Sequence, residues 1–334
     1  MQSYKPKKRL KAGEYAKGVL EGDRVILSQA ITVVESNLDE DKIIAKELIN
    51  QILPHSGKSI RIGITGVPGV GKSTFIESLG KLIISKGHKV AILSIDPSSK
   101  KSKGSILGDK TRMEELVKLD EAYIRPSASG DTIGGVANKT NETILLCEAA
   151  GYDVILIETV GVGQSETTVR NMTDFFLLLM LAGAGDELQG IKKGIMEMAD
   201  MVVINKADGD NVQMSEMAKK QYQNTLHIFP KSESGWTPVV STASALKNIG
   251  IDEVWNQIEK YFELVRENGY FEKNRNQQKI EWMYNSINDE LKRMLYSSQS
   301  VKELLKISEE EILSSKVSLF EAVEKVIQRF KETL

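Results

Sequence analysis

The chain has 334 residues, 41% of them hydrophobic and 27% charged, with a formal net charge of −2 at pH 7. That is ample material for a packed core, and it argues against global disorder, a general nucleic-acid surface or a membrane surface. The basic opening Lys5, Lys7, Lys8, Arg9 and Lys11 is too short to change this and reads as a solvated tail. The longest apolar run, Phe175 to Ala182, is too short to cross a bilayer and reads as a central strand. No signal peptide is legible, and the single cysteine, Cys147, lies in the apolar stretch Ile144-Leu145-Leu146-Cys147 and reads as structural. A cytoplasmic protein is expected.

In chain order, residues 11–53 read as helical, with apolar positions at 3–4 spacing in 23–34 and again at Ile43, Ile44, Leu48 and Ile52; Pro54 and Gly57 close the segment. From Ile60 to about Phe262 apolar runs alternate with amphipathic ones. Strands are predicted over 60–65, 89–95, 153–158, 174–181, 201–204 and 238–241. Such alternation implies an α/β fold, a mostly parallel sheet covered by helices on both faces.

The first predicted strand runs into Gly66-Val67-Pro68-Gly69-Val70-Gly71-Lys72-Ser73, and Thr74-Phe75-Ile76-Glu77-Ser78-Leu79 begins a helical pattern. Strand, glycine-rich loop and helix form a P-loop spanning Pro68 to Thr74, whose backbone N–H groups from Gly69 onward face a phosphate anion. Lys72 adds a charge at the β/γ-phosphates, and the Ser73 hydroxyl is placed to bind Mg²⁺. Asp96 follows the second predicted strand and Glu158 ends the third, positions suited to Mg²⁺ ligands or to helix caps.

Glu158-Thr159-Val160-Gly161 occupies the place where GTPases carry Asp-x-x-Gly. Val162 then stands where Ras-like enzymes hold a water-orienting glutamine, and valine cannot orient water. Unless Gln164, Glu166 or a partner takes that role, intrinsic hydrolysis is expected to be slow. Asn205-Lys206-Ala207-Asp208 follows the predicted strand 201–204. A carboxylate at Asp208 can accept from N1–H and the 2-amine of guanine together, whereas adenine would leave it facing a lone pair. Ser244-Ala245-Leu246 falls where a second base-contacting loop should lie. GTP or GDP is the expected ligand.

After residue 265 the strands stop. Three helical stripes follow, through Ile280–Leu295, Leu304–Ile312 and Val317–Phe330, the last opened by the capping-box pattern Ser318-Leu319-Phe320-Glu321. These helices either fold back on the main domain or form a dimerisation arm. The expected organisation is an N-terminal helical extension (1–57), a G domain (58–265) and a C-terminal arm (266–334).

With the P-loop, Asp96-Pro97-Ser98-Ser99, Arg125-Pro126-Ser127, Gly134-Gly135-Val136, the string Glu158 to Glu166 and Asn205-Lys206-Ala207-Asp208 in hand, the chain resembles the MeaB/ArgK family of GTPases over nearly its whole length. The resemblance implies a G domain of the signal-recognition-particle-like class and a homodimer formed through the C-terminal arm. It also implies a chaperone role toward an adenosylcobalamin-dependent acyl-CoA mutase, usually methylmalonyl-CoA mutase, gating cofactor loading and repair. Carried over by residue, Lys72, Glu158 and Gln164 are implied for catalysis, and Ser73, Asp96, Asp109 and Glu158 for Mg²⁺. A mobile loop that reports nucleotide state matches Gly185 to Lys192, with Asp186, Gln189 and Lys192 as its polar groups. Without the resemblance that stretch reads as a solvated strand-to-helix loop.

Two competing functions share the fold class. A nickel-delivery metallochaperone needs soft-metal sites, yet His55, His88 and His227 are scattered and there is no Cys-x-x-Cys. An ATP-dependent kinase linked to amino-acid transport is opposed by Asp208.

Overall fold

The computed structural model describes residues 9–95, 113–126, 133–159, 165–183 and 193–333. Two compact units divide the chain, Met1–Gln278 and Lys279–Leu334. No helix among the described residues is long and apolar enough to cross a membrane.

The first unit opens with helices α1 (Ala12–Leu20), α2 (Arg24–Glu35) and α3 (Asp39–Ile52). Asp23 starts α2 by accepting from the Val25 and Ile26 N–H groups, at 2.8 and 3.0 Å, which satisfies two donors a helix start otherwise leaves orphaned. Next come β1 (Ile60–Gly66), α4 (Lys72–Ser85), β2 (Val90–Ile95), β3 (Ala122–Pro126), α5 (Ile133–Ala149) and β4 (Val154–Thr159). The series continues through α6 (Ser165–Arg170), β5 (Phe175–Leu181), α7 (Lys193–Met198), β6 (Met201–Asn205), α8 (Val212–Leu226), β7 (Val239–Thr242) and α9 (Ile251–Glu267). Helix α10 (Tyr270–Ser297) begins in the first unit.

All seven strands are parallel, in the order β3-β2-β4-β1-β5-β6-β7. The interiors of β1, β2, β4, β5 and β6 are buried throughout, as apolar runs covered on both faces must be. Alternate strand residues Ile62, Ile64, Leu156 and Leu177 pack with Phe75 and Leu79 of α4 and with Val254 and Ile258 of α9 in one core. The six predicted strands lie within a residue or so of their expected places. β3 is a correction: the sequence reading gave this segment only as part of a motif. Cys147 is fully buried in α5, and burial pushes its thiol up.

The N-terminal ends of the strands are tied by buried charge. Asp174, just before β5, accepts from the Arg61 backbone N–H at 2.8 Å and receives both Nε and Nη2 of Arg275 from α10. Arg61 Nε donates to Glu148 of α5 at 2.9 Å, and the Ser59 hydroxyl and Gly57 N–H each donate to the same carboxylate at 2.6 Å. Burial opposes ionisation of Glu148, but Arg61 and Arg275 together hold its carboxyl below the ordinary range. Two cations and two anions thus balance with their hydrogen bonds filled, the condition under which buried charge is tolerated. Gln278 adds a bond to the Thr173 carbonyl at 2.7 Å.

The second unit comprises the rest of α10 with α11 (Gln299–Leu313) and α12 (Leu319–Lys331). Ser318 caps α12 by accepting from Glu321 N–H at 3.1 Å. Val301, Ala322 and Val326 are buried, while Leu291, Ile307, Phe320 and Val323 are exposed.

Arg275→Ala would leave two buried carboxylates short of a cation. It is expected to lower unfolding free energy in urea by about 3–5 kcal/mol. Arg293→Ala, which removes an exposed pair with Glu290, is expected to change it by less than about 1 kcal/mol.

Candidate functional site

Parallel strands bring their C-terminal ends to one edge, and at β1 the neighbouring connections diverge to opposite sides of the sheet. Ligand sites in such sheets lie at this point. The loop after β1 and the start of α4 sit there. Gly71, the residue before α4, has φ +90°, and a Cβ on it would lie 3.2 Å from Asn205 Nδ2. Only glycine takes that conformation without strain. Pro68, Gly69 and Thr74 are exposed around the loop, whereas the Val70 side chain is fully buried and anchors it from beneath.

Lys72 Nζ donates to the Gly66 carbonyl at 3.0 Å, which folds the amine back over the loop. Ser73 Oγ lies 3.4 Å from Glu158 Oε1, so the hydroxyl from α4 and the carboxylate from β4 converge. Two hard oxygen donors of this kind fit Mg²⁺, which binds through few protein oxygens and retains waters. Among the described residues no three His, Cys, Asp or Glu side chains form a metal-holding group. Asp96 and Asp109, the other expected metal ligands, lie outside the described residues, as do Gln164 and the loop residues Asp186, Gln189 and Lys192. Glu166, the alternative to Gln164, is buried at 1% exposure in α6.

The base-side residues gather on the other flank of the loop. Asn205, at the end of β6, donates through Nδ2 to the Val70 carbonyl at 2.8 Å and accepts at Oδ1 from Ala245 N–H at 3.2 Å. Lys206 takes a left-handed conformation, φ 60°, and its Nζ donates to the Gly69 carbonyl at 2.8 Å. Ser244 Oγ is bonded to Asp208 Oδ2 and also accepts from Lys247 N–H at 3.2 Å. Leu246 is exposed beside it. Pro68 to Thr74, Asn205 to Asp208 and Ser244 to Leu246, far apart in sequence, therefore form one continuous rim.

Two contributors escaped the sequence reading. Asn211 donates to the Lys206 carbonyl at 2.8 Å and so braces its left-handed backbone; Ser78 of α4 donates to the Ala245 carbonyl at 2.7 Å. Neither belongs to a motif, and nothing short of the fold brings them to the rim.

A parallel sheet with a glycine loop running into a helix at its switch point defines a P-loop nucleotide-binding protein. The chain matches the family model for methylmalonyl-CoA mutase-associated GTPase MeaB over residues 27–300. It is 46% identical to the GTPase ArgK of Escherichia coli strain K12 over 279 residues, 84% of each chain. It is 41% identical to the mitochondrial methylmalonic aciduria type A homolog of Mus musculus over 324 residues, 94% of this chain and 78% of that one. A solved LAO/AO transport system kinase superposes with a TM-score of 0.75 at 36% identity, covering 96% of this chain and 97% of that one. The chain belongs to the MeaB family of GTPases.

Gly71→Ala would force a left-handed alanine against Asn205 Nδ2. The expected result is GDP affinity about tenfold weaker or worse by calorimetry, the equivalent of about 1.4 kcal/mol of backbone strain.

Proposed function

We propose that the protein binds and hydrolyses GTP as a chaperone of an adenosylcobalamin-dependent acyl-CoA mutase, most simply methylmalonyl-CoA mutase, gating the loading and repair of its cofactor. The observation that carries the nucleotide half is the base-side geometry, in which Asp208 is held by Ser244 while Asn205 joins the P-loop to the Ala245 backbone. The family supports the client half, since its model is described as mutase-associated.

In this reading the N–H groups from Gly69 to Thr74 receive the phosphates, with Pro68 shaping the loop's entry, and Lys72 exchanges the Gly66 carbonyl for their oxygens. Ser73 and Glu158, with Asp96 and Asp109, hold Mg²⁺, which when bound offsets charge on the β/γ-phosphates. Asp208 accepts from N1–H and the 2-amine of guanine. Gln164 orients the attacking water, and with valine at 162 the intrinsic rate is slow and partner-stimulated. Asp186, Gln189 and Lys192 rearrange with nucleotide state. Residues 58–265 handle the nucleotide, 1–57 extend that segment, and 266–334 join two copies through apolar positions such as Leu291 and Phe320. The kinase name borne by a solved relative finds no support at Asp208, which disfavours adenine.

GTP turnover by the purified protein, measured alone and with the mutase encoded beside it, tests the assignment. Slow turnover that rises with the mutase is the expected result. An unchanged rate together with no complex on gel filtration would overturn the chaperone reading. Asp208→Asn is expected to weaken GDP binding by about 100-fold, because the amide turns a donor toward the 2-amine. The same change should raise affinity for XDP, whose 2-oxo group accepts that donor.

A further inference from the structure

We propose that Ser78 is a positioning residue for base recognition, setting the separation between the phosphate loop and the base loop. This rests on the guanine-nucleotide reading above and adds to it a residue outside every motif.

The base loop is a closed unit. Ser244 and Ile249 exchange backbone bonds, Ser244 N–H to Ile249 O at 2.9 Å and Ile249 N–H to Ser244 O at 3.0 Å. Asn248 at φ 54° and Gly250 at φ 72° turn the chain tightly, and a Cβ on Gly250 would lie 2.6 Å from the Thr242 carbonyl. A loop so closed keeps its shape and moves as a block, so its attachments determine where it sits.

Two of those attachments meet on one buried residue, Ala245, at 4% exposure. Its N–H donates to Asn205 Oδ1 at 3.2 Å, and its carbonyl accepts from Ser78 Oγ at 2.7 Å. The first bond reaches the loop from the end of β6. The second reaches it from α4, the helix that begins at Lys72 with the phosphate-binding residues. Ser78 lies six residues beyond Lys72, about 9 Å along the helix axis. One rigid helix therefore carries phosphate donors at its first turn and a handle on the base loop further along.

A nucleotide joins base and phosphates covalently, so the two loops must hold a fixed spacing for both halves to bind at once. Asn205 ties the loops from one side only. With the Ser78 bond absent, the Ala245 carbonyl loses its link to α4, and the closed loop, still held from the β6 side by Asn205 and by the Ser244–Asp208 pair, can shift relative to that helix. The phosphates would still find their donors, but the base would meet a misplaced rim.

The test compares Ser78→Ala, Ser78→Thr and, as a control, Ser85→Ala, whose hydroxyl bonds only within α4 to the Leu82 carbonyl at 2.6 Å. Affinities for Mg²⁺·GDP and for Mg²⁺·pyrophosphate, which has no base, are measured by calorimetry on the full chain. Ser78→Ala is expected to weaken GDP about fivefold, the size of one net hydrogen bond, with pyrophosphate unchanged. Ser78→Thr keeps the hydroxyl and should stay within about twofold of the parent protein, as should Ser85→Ala. Unchanged GDP affinity in Ser78→Ala would overturn the proposal. So would a parallel loss of GDP and pyrophosphate, which would make Ser78 part of the P-loop's own folding. A parent protein that binds pyrophosphate but not GDP would instead overturn the guanine reading, and this assignment with it.

Discussion

One amide holds the nucleotide site together. Asn205 donates to the Val70 carbonyl and accepts from Ala245 N–H, so a single side chain fixes the P-loop, the end of β6 and the base loop at set distances. Its nitrogen and oxygen serve different partners: aspartate lacks the donor, leucine lacks each, and glutamine carries both one methylene further from the backbone. Gly71 must be glycine because its backbone is left-handed at φ +90°, and a Cβ there would also press within 3.2 Å of Asn205 Nδ2. Lys206, the next residue, lies over the same loop with its own bond to Gly69. The left-handed backbone at Lys206, unusual for a residue with a side chain, follows from placing two consecutive side chains on two consecutive loop carbonyls.

The sheet makes this arrangement possible and the far end of the sheet makes it stable. Parallel strands deliver every C-terminal end to one edge, where backbone groups and polar side chains face a ligand. The N-terminal ends collect charge instead. Asp174 and Glu148 are each held from two directions, by Arg61 inside β1 and by Arg275 from α10. Placing such groups in the interior is costly unless each bond is made. The network therefore ties α10's first turns to β1, the strand that runs into the P-loop, and to its neighbour β5, with little tolerance for displacement.

These two ends of the sheet differ in how much of them the sequence discloses. The P-loop and Asn205 to Asp208 are contiguous runs whose chemistry is local, so their residues are legible before any fold is known. Six strands were equally legible, because each is a buried run of Val, Ile, Leu and Phe that a covered parallel sheet requires. β3 was not. Among the described residues it is an edge strand paired with β2 alone, it ends in Arg125 and Pro126, and an edge strand tolerates both. The charge network is illegible for a different reason: Arg275 meets Asp174 across 101 residues and Arg61 meets Glu148 across 87. Ser78 and Asn211 stayed hidden because a serine on a helix and an asparagine in a turn have ordinary local explanations.

The polar groups of the rim are satisfied by one another, and the manner of it bears on how a nucleotide would enter. Asp208 accepts from Ser244 at one oxygen, but a carboxylate has about four lone-pair positions. The serine can stay in place while guanine's two donors arrive, so base recognition requires no rearrangement of that pair. Lys72 is different. Its bond to the Gly66 carbonyl pairs the ammonium with a neutral acceptor, and a phosphate oxygen adds the attraction of an opposite charge. Exchange of partners at Lys72 is thus favourable in itself and opens the loop's centre to the anion. Under the proposed guanine reading, a base pocket preset by Asn205, Ser244 and Ser78 beside a phosphate loop whose lysine trades a neutral acceptor for an anionic one would make specificity rigid and phosphate binding adaptive.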